Sequence, residues 1–137
     1  MADAVTSQTL VDTEKRVVMK FTNLSDGNGE SAVKKVDVSA LTAHPDGTAC
    51  SQVTIDQIWY DVGGMRLAIY FDASTSALAL TLGGSAAAGN VQGHMDFRSF
   101  GGIKNNASSP TGDIDFTTSG HTNLDHYTVI LEMRKQY

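Results

Sequence analysis

The sequence predicts an all-β domain, an antiparallel β-sandwich or jelly-roll-like barrel of about eight or nine strands, on three observations. Apolar residues recur at every second position along most of the chain, the signature of strands with one buried face. No long stretch shows a helical stripe capped at both ends. The chain's 13 glycines lie mostly in polar clusters between the alternating stretches, where tight turns use them. At 137 residues the length suits one domain with one core, able to bury about two-thirds of its unfolded surface.

The elements follow in order. In "RVVMKFTN" the set Val17, Met19 and Phe21 faces a core while Val18, Lys20 and Thr22 face out. "KKVDVSA" repeats this with Val36 and Val38. In "SQVTIDQIWYDVGG" the alternation slips near Asp56 and Gln57, marking a bulge that swaps the faces of Ile55 and Trp59 relative to Ile58 and Tyr60. "GMRLAIYFD" places Met65, Leu67, Ile69 and Phe71 on one face, and "SALALTLGG" does so with Leu78, Leu80 and Leu82. The turn chemistry of Asp72–Ser76 joins these two as a hairpin. Three further alternations run through Met95 and Phe97, through Ile114 and Phe116, and through Tyr127, Val129, Leu131 and Met133. "SALALTLGGSAAAG" has helix-favouring residues, but its strict leucine alternation and its glycines favour a strand followed by a loop.

"SDGNGES", "GGSAAAGN" and "GGIKNNASSPTG" are too polar or too small for the core and are expected as exposed loops. Residues 1–14, with Val5, Leu10 and Val11 in no clean pattern, are expected as an N-terminal arm that pairs only beside a neighbour, ahead of a β domain at 15–137.

The formal net charge is -5, and the 10 lysines and arginines are scattered. That gives little electrostatic support to nucleic-acid binding. No apolar run approaches the roughly 18 residues that a spanning helix needs, and "MADAVTSQTL" lacks the basic and apolar regions of a signal peptide. The expectation is a protein made in a cytoplasm, with no membrane partner. The single cysteine, Cys50, excludes an internal disulfide and reads as a small half-buried side chain.

Four constellations invite chemistry. Asp26, Asn28 and Glu30 in "DGNGES" place oxygen side chains at alternating positions, with Asp37 at the twelfth place, as in a calcium loop. The pattern lacks glycine at the sixth place and flanking helices, and a plain turn explains it as well. His44, His94, His121 and His126 lack helical metal-ligand spacing, although "HMD" sets His94 and Asp96 on one outward strand face, and "HTNLDH" brings His121, Asp125 and His126 together. Asp113 and Asp115 in "GDIDF" project from the same side of a strand, an arrangement in which like charges raise a pKa. Trp59, Tyr60 and Tyr70 offer an outward aromatic platform of the kind that stacks on sugars or buries in an interface, against the simpler reading of Trp59 as core. The glycine pairs at 63–64, 83–84 and 101–102 lack the βαβ context of a dinucleotide site. No residue set calls for a cofactor.

Three stretches, "QTLVDTEKRVVMKFTNLSDGNGESAVKKVDVSAL", "IDQIWYDVGGMRLAIYFDAS" and the tail "HMDFRSFGGIKNN…TGDIDFTTSGH…YTVILEMRKQY", cover nearly the whole chain. Together they resemble small virion structural proteins of tailed bacteriophages, particularly marine and cyanobacterial phages. The resemblance implies a β-rich, non-enzymatic component of the particle. The head decoration or cement role, bridging major capsid subunits as a homo-oligomer, comes first, and tail and neck roles share the description. On that view Gly101–Gly112, with Ile103, Asn105, Asn106 and Pro110, lies against a neighbouring subunit, and Ala2–Glu14 supplies a second contact. Two other readings stand beside it: a carbohydrate-binding β-sandwich using Trp59, Tyr60 or Tyr70, and a hydrolase built on Asp113, Asp115 and a histidine.

Overall fold

The computed structural model describes residues 4–83 and 90–137. Nine strands run through them: β1 (Ala4–Asp12), β2 (Arg16–Asp26), β3 (Val33–Val36), β4 (Gln52–Gly63), β5 (Arg66–Thr75), β6 (Ala77–Gly83), β7 (Asn90–Asp96), β8 (Ser108–Ser119) and β9 (Asn123–Gln136). They form two antiparallel sheets, one ordered β1-β2-β9-β4-β7 and the other β3-β8-β5-β6. The architecture is a β-sandwich. Part of the predicted loop "GGSAAAGN", at 84–89, lies outside the described residues, as do Ala2 and Asp3 of the expected N-terminal contact.

The inward sets are those that alternation assigns. Val17 and Phe21 from β2, Tyr127, Val129, Leu131 and Met133 from β9, Leu67, Ile69 and Phe71 from β5, and Ile114 and Phe116 from β8 are all essentially without solvent contact. Phe116 crosses from one sheet to the other, meeting Phe21 edge-on at 5.1 Å and Tyr127 at 5.8 Å. Edge-to-face contacts of this kind favour one register between the sheets as well as burying area.

Two bulges decide which residues face out. The register of β4 against β9 shifts between Ile55 and Gln57. Ile55 therefore shares the core with Ile58 and Val62, while Trp59 turns outward with 36% of its surface exposed. A second shift, between Ile69 and Tyr70, sets Leu78 opposite outward-facing Tyr70. The alternation put Leu78 inward with Leu80 and Leu82. Leu82 is buried, but Leu78 is 52% exposed, because the extra residue reverses the faces beyond it.

The two segments expected to reach neighbours are both built into this domain. Ala4–Asp12 is no detached arm: it pairs along β2 from Ala4 opposite Leu24 to Asp12 opposite Val17. Of the expected loop Gly101–Gly112, only Gly101–Ala107 lies outside regular strand. Ile103 exchanges backbone hydrogen bonds with Ile55, at 2.8 and 3.0 Å. The Asn105 side chain accepts from the Ala107 amide, Asn106 is exposed, and Pro110 sits in β8 opposite Ala73.

Gly112 shows what holds this end. Its φ is +92°, and a Cβ there would lie 1.9 Å from the Ser51 carbonyl oxygen. Gly112→Ala is expected to lower stability by on the order of 2 kcal/mol, from the left-handed backbone and the blocked approach together. Thermal melting beside the wild type measures it.

Candidate functional site

The outer face of the five-stranded sheet carries the candidate site, and register builds it. Trp59 on β4 lies between Ile130 on β9 and His94 on β7. One row along, Asp61 lies between Thr128 and Gln92. In the row on the other side, Gln57 lies between Glu132 and Asp96. Paired residues of antiparallel strands point to the same face, so these three rows form one surface. Trp59, Asp61, Gln92, His94, Thr128 and Ile130 line an open depression of about 600 Å³.

The His94 imidazole stacks on the Trp59 indole with centroids 4.9 Å apart and planes 12° from parallel. A hydrogen-bonded chain fixes that imidazole. Arg16 Nε donates to Glu132 Oε1 at 3.1 Å, Gln57 Nε2 donates to Glu132 Oε2 at 2.5 Å, and Gln57 Oε1 meets His94 Nε2 at 2.8 Å. Because the Gln57 amide nitrogen is committed to Glu132, its oxygen accepts, and His94 Nε2 must carry the proton. The ring is held from below while its face rests on the indole. Trp59 is thereby set as a rigid, partly exposed apolar plate.

Asp61 adds a polar feature. Its Oδ1 is shielded from solvent and accepts no hydrogen bond from any described residue. A shielded carboxylate oxygen without a donor is costly, by about 1–3 kcal/mol. Gln92 and Thr128 flank it with groups that both donate and accept. The depression thus joins an aromatic plate to a short row of hydroxyl-matching groups.

Of the three aromatics the sequence singles out, two meet here and one does not. Tyr60 points to the inner side of β4, packed against the core, yet it reaches the wall of the same depression. Its ring passes over Gly93, where a Cβ would come within 3.0 Å of the phenol oxygen. Tyr70 lies on the outer face of the other sheet, beside a smaller recess of about 150 Å³ that it lines with Ala32, Ser76, Asp115 and Thr117. The three do not form one platform.

The other constellations are spent differently. Glu30 turns inward, pairing with Lys35 at 2.5 Å and accepting from Asn23 at 2.8 Å and from Tyr127. Asp26 Oδ1 accepts from the backbone and side chain of Asn28, and Asp37 caps Ser39. The calcium-like spacing therefore does not converge, and among the described residues no three His, Cys, Asp or Glu side chains are placed to hold one metal ion. Asp113 is ion-paired with Lys34 at 3.0 Å and accepts from the Val38 amide. Burial raises the Asp115 pKa to about 6, helped by a hydrogen bond and by charge from Asp72. The histidines lie elsewhere: His44 beside Tyr137, His94 on Trp59, His121 over Gly29 and near Thr118, and His126 against Gly63. The carboxylates and the histidine of the hydrolase reading do not assemble.

No protein-family model and no curated protein matches the chain. Two solved structures show a distant likeness, both carbohydrate-binding modules of family 29, one of them a point variant. Each is 8% identical and covers 96% of this chain, with 92% and 89% of the modules covered and TM-scores of 0.33 and 0.34. At those values the likeness carries no inference of its own.

What sequence reading missed is the pairing rather than the residue types. The alternation in "HMD" already turns His94 outward, and Asp61 sits two residues beyond Trp59 on the same face. Only strand order sets β7 beside β4 and makes His94 the partner of Trp59.

Proposed function

We propose that the protein is a carbohydrate-binding β-sandwich that holds an uncharged glycan on the outer face of its five-stranded sheet. The observation that carries this reading is the Trp59 plate, braced by His94 and bordered in the same depression by Asp61, Gln92 and Thr128. A pyranose ring has an apolar C–H face and a rim of hydroxyls. The plate suits the first, and Asp61, Gln92 and Thr128 suit the second. Sugar hydroxyls exchange hydrogen bonds with Gln92, Thr128 and the exposed part of the Asp61 carboxylate, whereas an anionic sugar set against that carboxylate is repelled.

The test is a screen of the purified protein on an array of neutral polysaccharides, followed by calorimetry with the best ligand. Trp59→Ala is expected to weaken binding by about 10-fold or more, since removing an indole from a contact costs more than the 1.4 kcal/mol that tenfold represents. Its melting temperature should stay close to the wild type, because Trp59 lies outside the core. Absence of binding across the array, or full binding by Trp59→Ala, would overturn the reading.

A second reading, a non-enzymatic phage particle protein bridging capsid subunits, is favoured by a different observation. Among the described residues β1 pairs on one side alone, with β2, which leaves an edge suited to adding a neighbour's strand. Co-sedimentation with particles lacking this protein tests it, and truncation through Asp12 should abolish the association.

A further inference from the structure

We infer that β1 pairs with the β1 of a second copy, antiparallel, joining two five-stranded sheets into one continuous sheet across a two-fold axis. The sandwich has four sheet edges. β3 is a short strand of 4 residues containing Lys34 and Lys35, features that blunt an edge against unwanted pairing. β6 and β7 approach each other where the two sheets meet, so each partly shields the other. β1 has neither protection. It is 9 residues long, and from Ala4 to Val11 it has no charge and no proline.

Its surroundings are equally open. Among the described residues, the only strand in extensive contact with β1 is β2, and Ala4–Leu10 are exposed on both faces. The opposite sheet does not extend over them, leaving Val5 44% and Leu10 45% exposed. A long, uncharged, uncovered edge is the template onto which another strand adds. The strand's one irregularity falls between Thr9 and Val11, so Ala4–Thr9 stays regular.

A second copy is the occupant that the sequence of β1 suits. Two-fold pairing must bring like residues together, and a charged strand would repel its own image. Centred on Ser7, the pairing sets Val5 of one copy against Thr9 of the other on the inward side, and Thr6 against Gln8 on the outward side. No charges meet. Val5 and Ser7 fall on the side facing the sandwich interior, opposite Asn23 and Phe21, and Thr6 and Gln8 on the outer side, opposite Thr22 and Lys20. The pairing preserves this division, because a two-fold axis perpendicular to the sheet keeps each outer face outward.

This arrangement also bears on the proposed sugar-binding face, although it does not depend on it. The two Trp59 plates would lie on the same side of the joined sheet, roughly 34 Å apart across seven strand spacings. A polymer or a glycan-coated surface would then be gripped twice, gaining avidity without new contacts.

The test is light scattering of the full chain from low to high micromolar concentration, with Ser7→Lys and Ser7→Glu alone and mixed. The wild type is expected to approach twice the monomer mass. Each variant alone should stay monomeric, because like charges meet at the axis, and the equimolar mixture should recover the dimer. Circular dichroism of each variant shows whether the fold is retained. A monomeric wild type overturns the inference, as does a dimer unaffected by either charge or a mixture that stays monomeric. Glycan binding by a monomer would separate failure of this inference from failure of the sugar-binding reading.

Discussion

Lys35→Met is expected to destabilise the fold by about 3–5 kcal/mol, the usual cost of removing one partner from a buried ion pair. Lys35 and Glu30 have side chains only 4% and 5% exposed, with nitrogen and oxygen 2.5 Å apart. Glu30 also receives hydrogen bonds from Asn23 and Tyr127, and its backbone carbonyl accepts from the Thr118 amide. The carboxylate thereby ties the β2–β3 connection to β2, β3 and β9, and the backbone of the same residue ties it to β8. Methionine fills much of the lysine's volume but leaves the carboxylate without a cation inside the protein. Urea unfolding monitored by Trp59 fluorescence and by far-ultraviolet circular dichroism measures the loss. A change below about 1 kcal/mol, the usual worth of an exposed pair, would mean that solvent reaches Glu30.

The same glutamate shows why spacing misled at the site level. Asp26, Asn28 and Glu30 alternate as cation ligands do, and sequence alone contains no sign that one of them turns inward. The inward turn follows from long-range pairing: the Glu30 amide donates to Thr118 Oγ1 and its carbonyl accepts from the Thr118 amide. Those contacts join residues 88 apart in sequence. Local alternation does fix which side chains of a strand share a face, hence the accuracy for Tyr127, Val129, Leu131 and Met133. The slip at Asp56 and Gln57 was legible because a core residue stands out of phase. The shift at Tyr70 was not, because the leucines of β6 keep perfect alternation while pairing across a bulge in the register. The depression around Trp59 lies between these cases. Its residues can be read as outward-facing, but their assembly depends on β4 lying between β9 and β7, and strand order leaves no periodic trace.

Removing the charge of Asp115 should raise stability above neutral pH and flatten its dependence on pH. Asp115 is 6% exposed on the outer side of β8. Burial, the hydrogen bond and charge of Asp72, and the charge of Asp113 raise its pKa from 3.8 to about 6, against the opposing pull of Lys34. A carboxyl raised in the fold holds its proton where the unfolded chain has released it. The native state therefore binds more protons between about pH 4 and pH 6, and stability falls as pH rises through that window. The contribution is complete below the unfolded value and lost above the folded one. An asparagine side chain in its place is neutral throughout, and its amide can donate to the Asp72 carboxylate. Asp115→Asn is thus expected to match the wild type near pH 4 and to exceed it at pH 7–8 by on the order of 3 kcal/mol, at 1.36 kcal/mol per pKa unit. Urea titrations across that range decide it. Equal stability at pH 8 would mean that the wild-type carboxylate is relieved by Lys34, which already bridges to Asp113 at 3.0 Å and stands opposite Asp115 across the β3–β8 ladder. Lys34→Met would then make the penalty reappear, since removing that cation leaves the three carboxylates Asp72, Asp113 and Asp115 to one another.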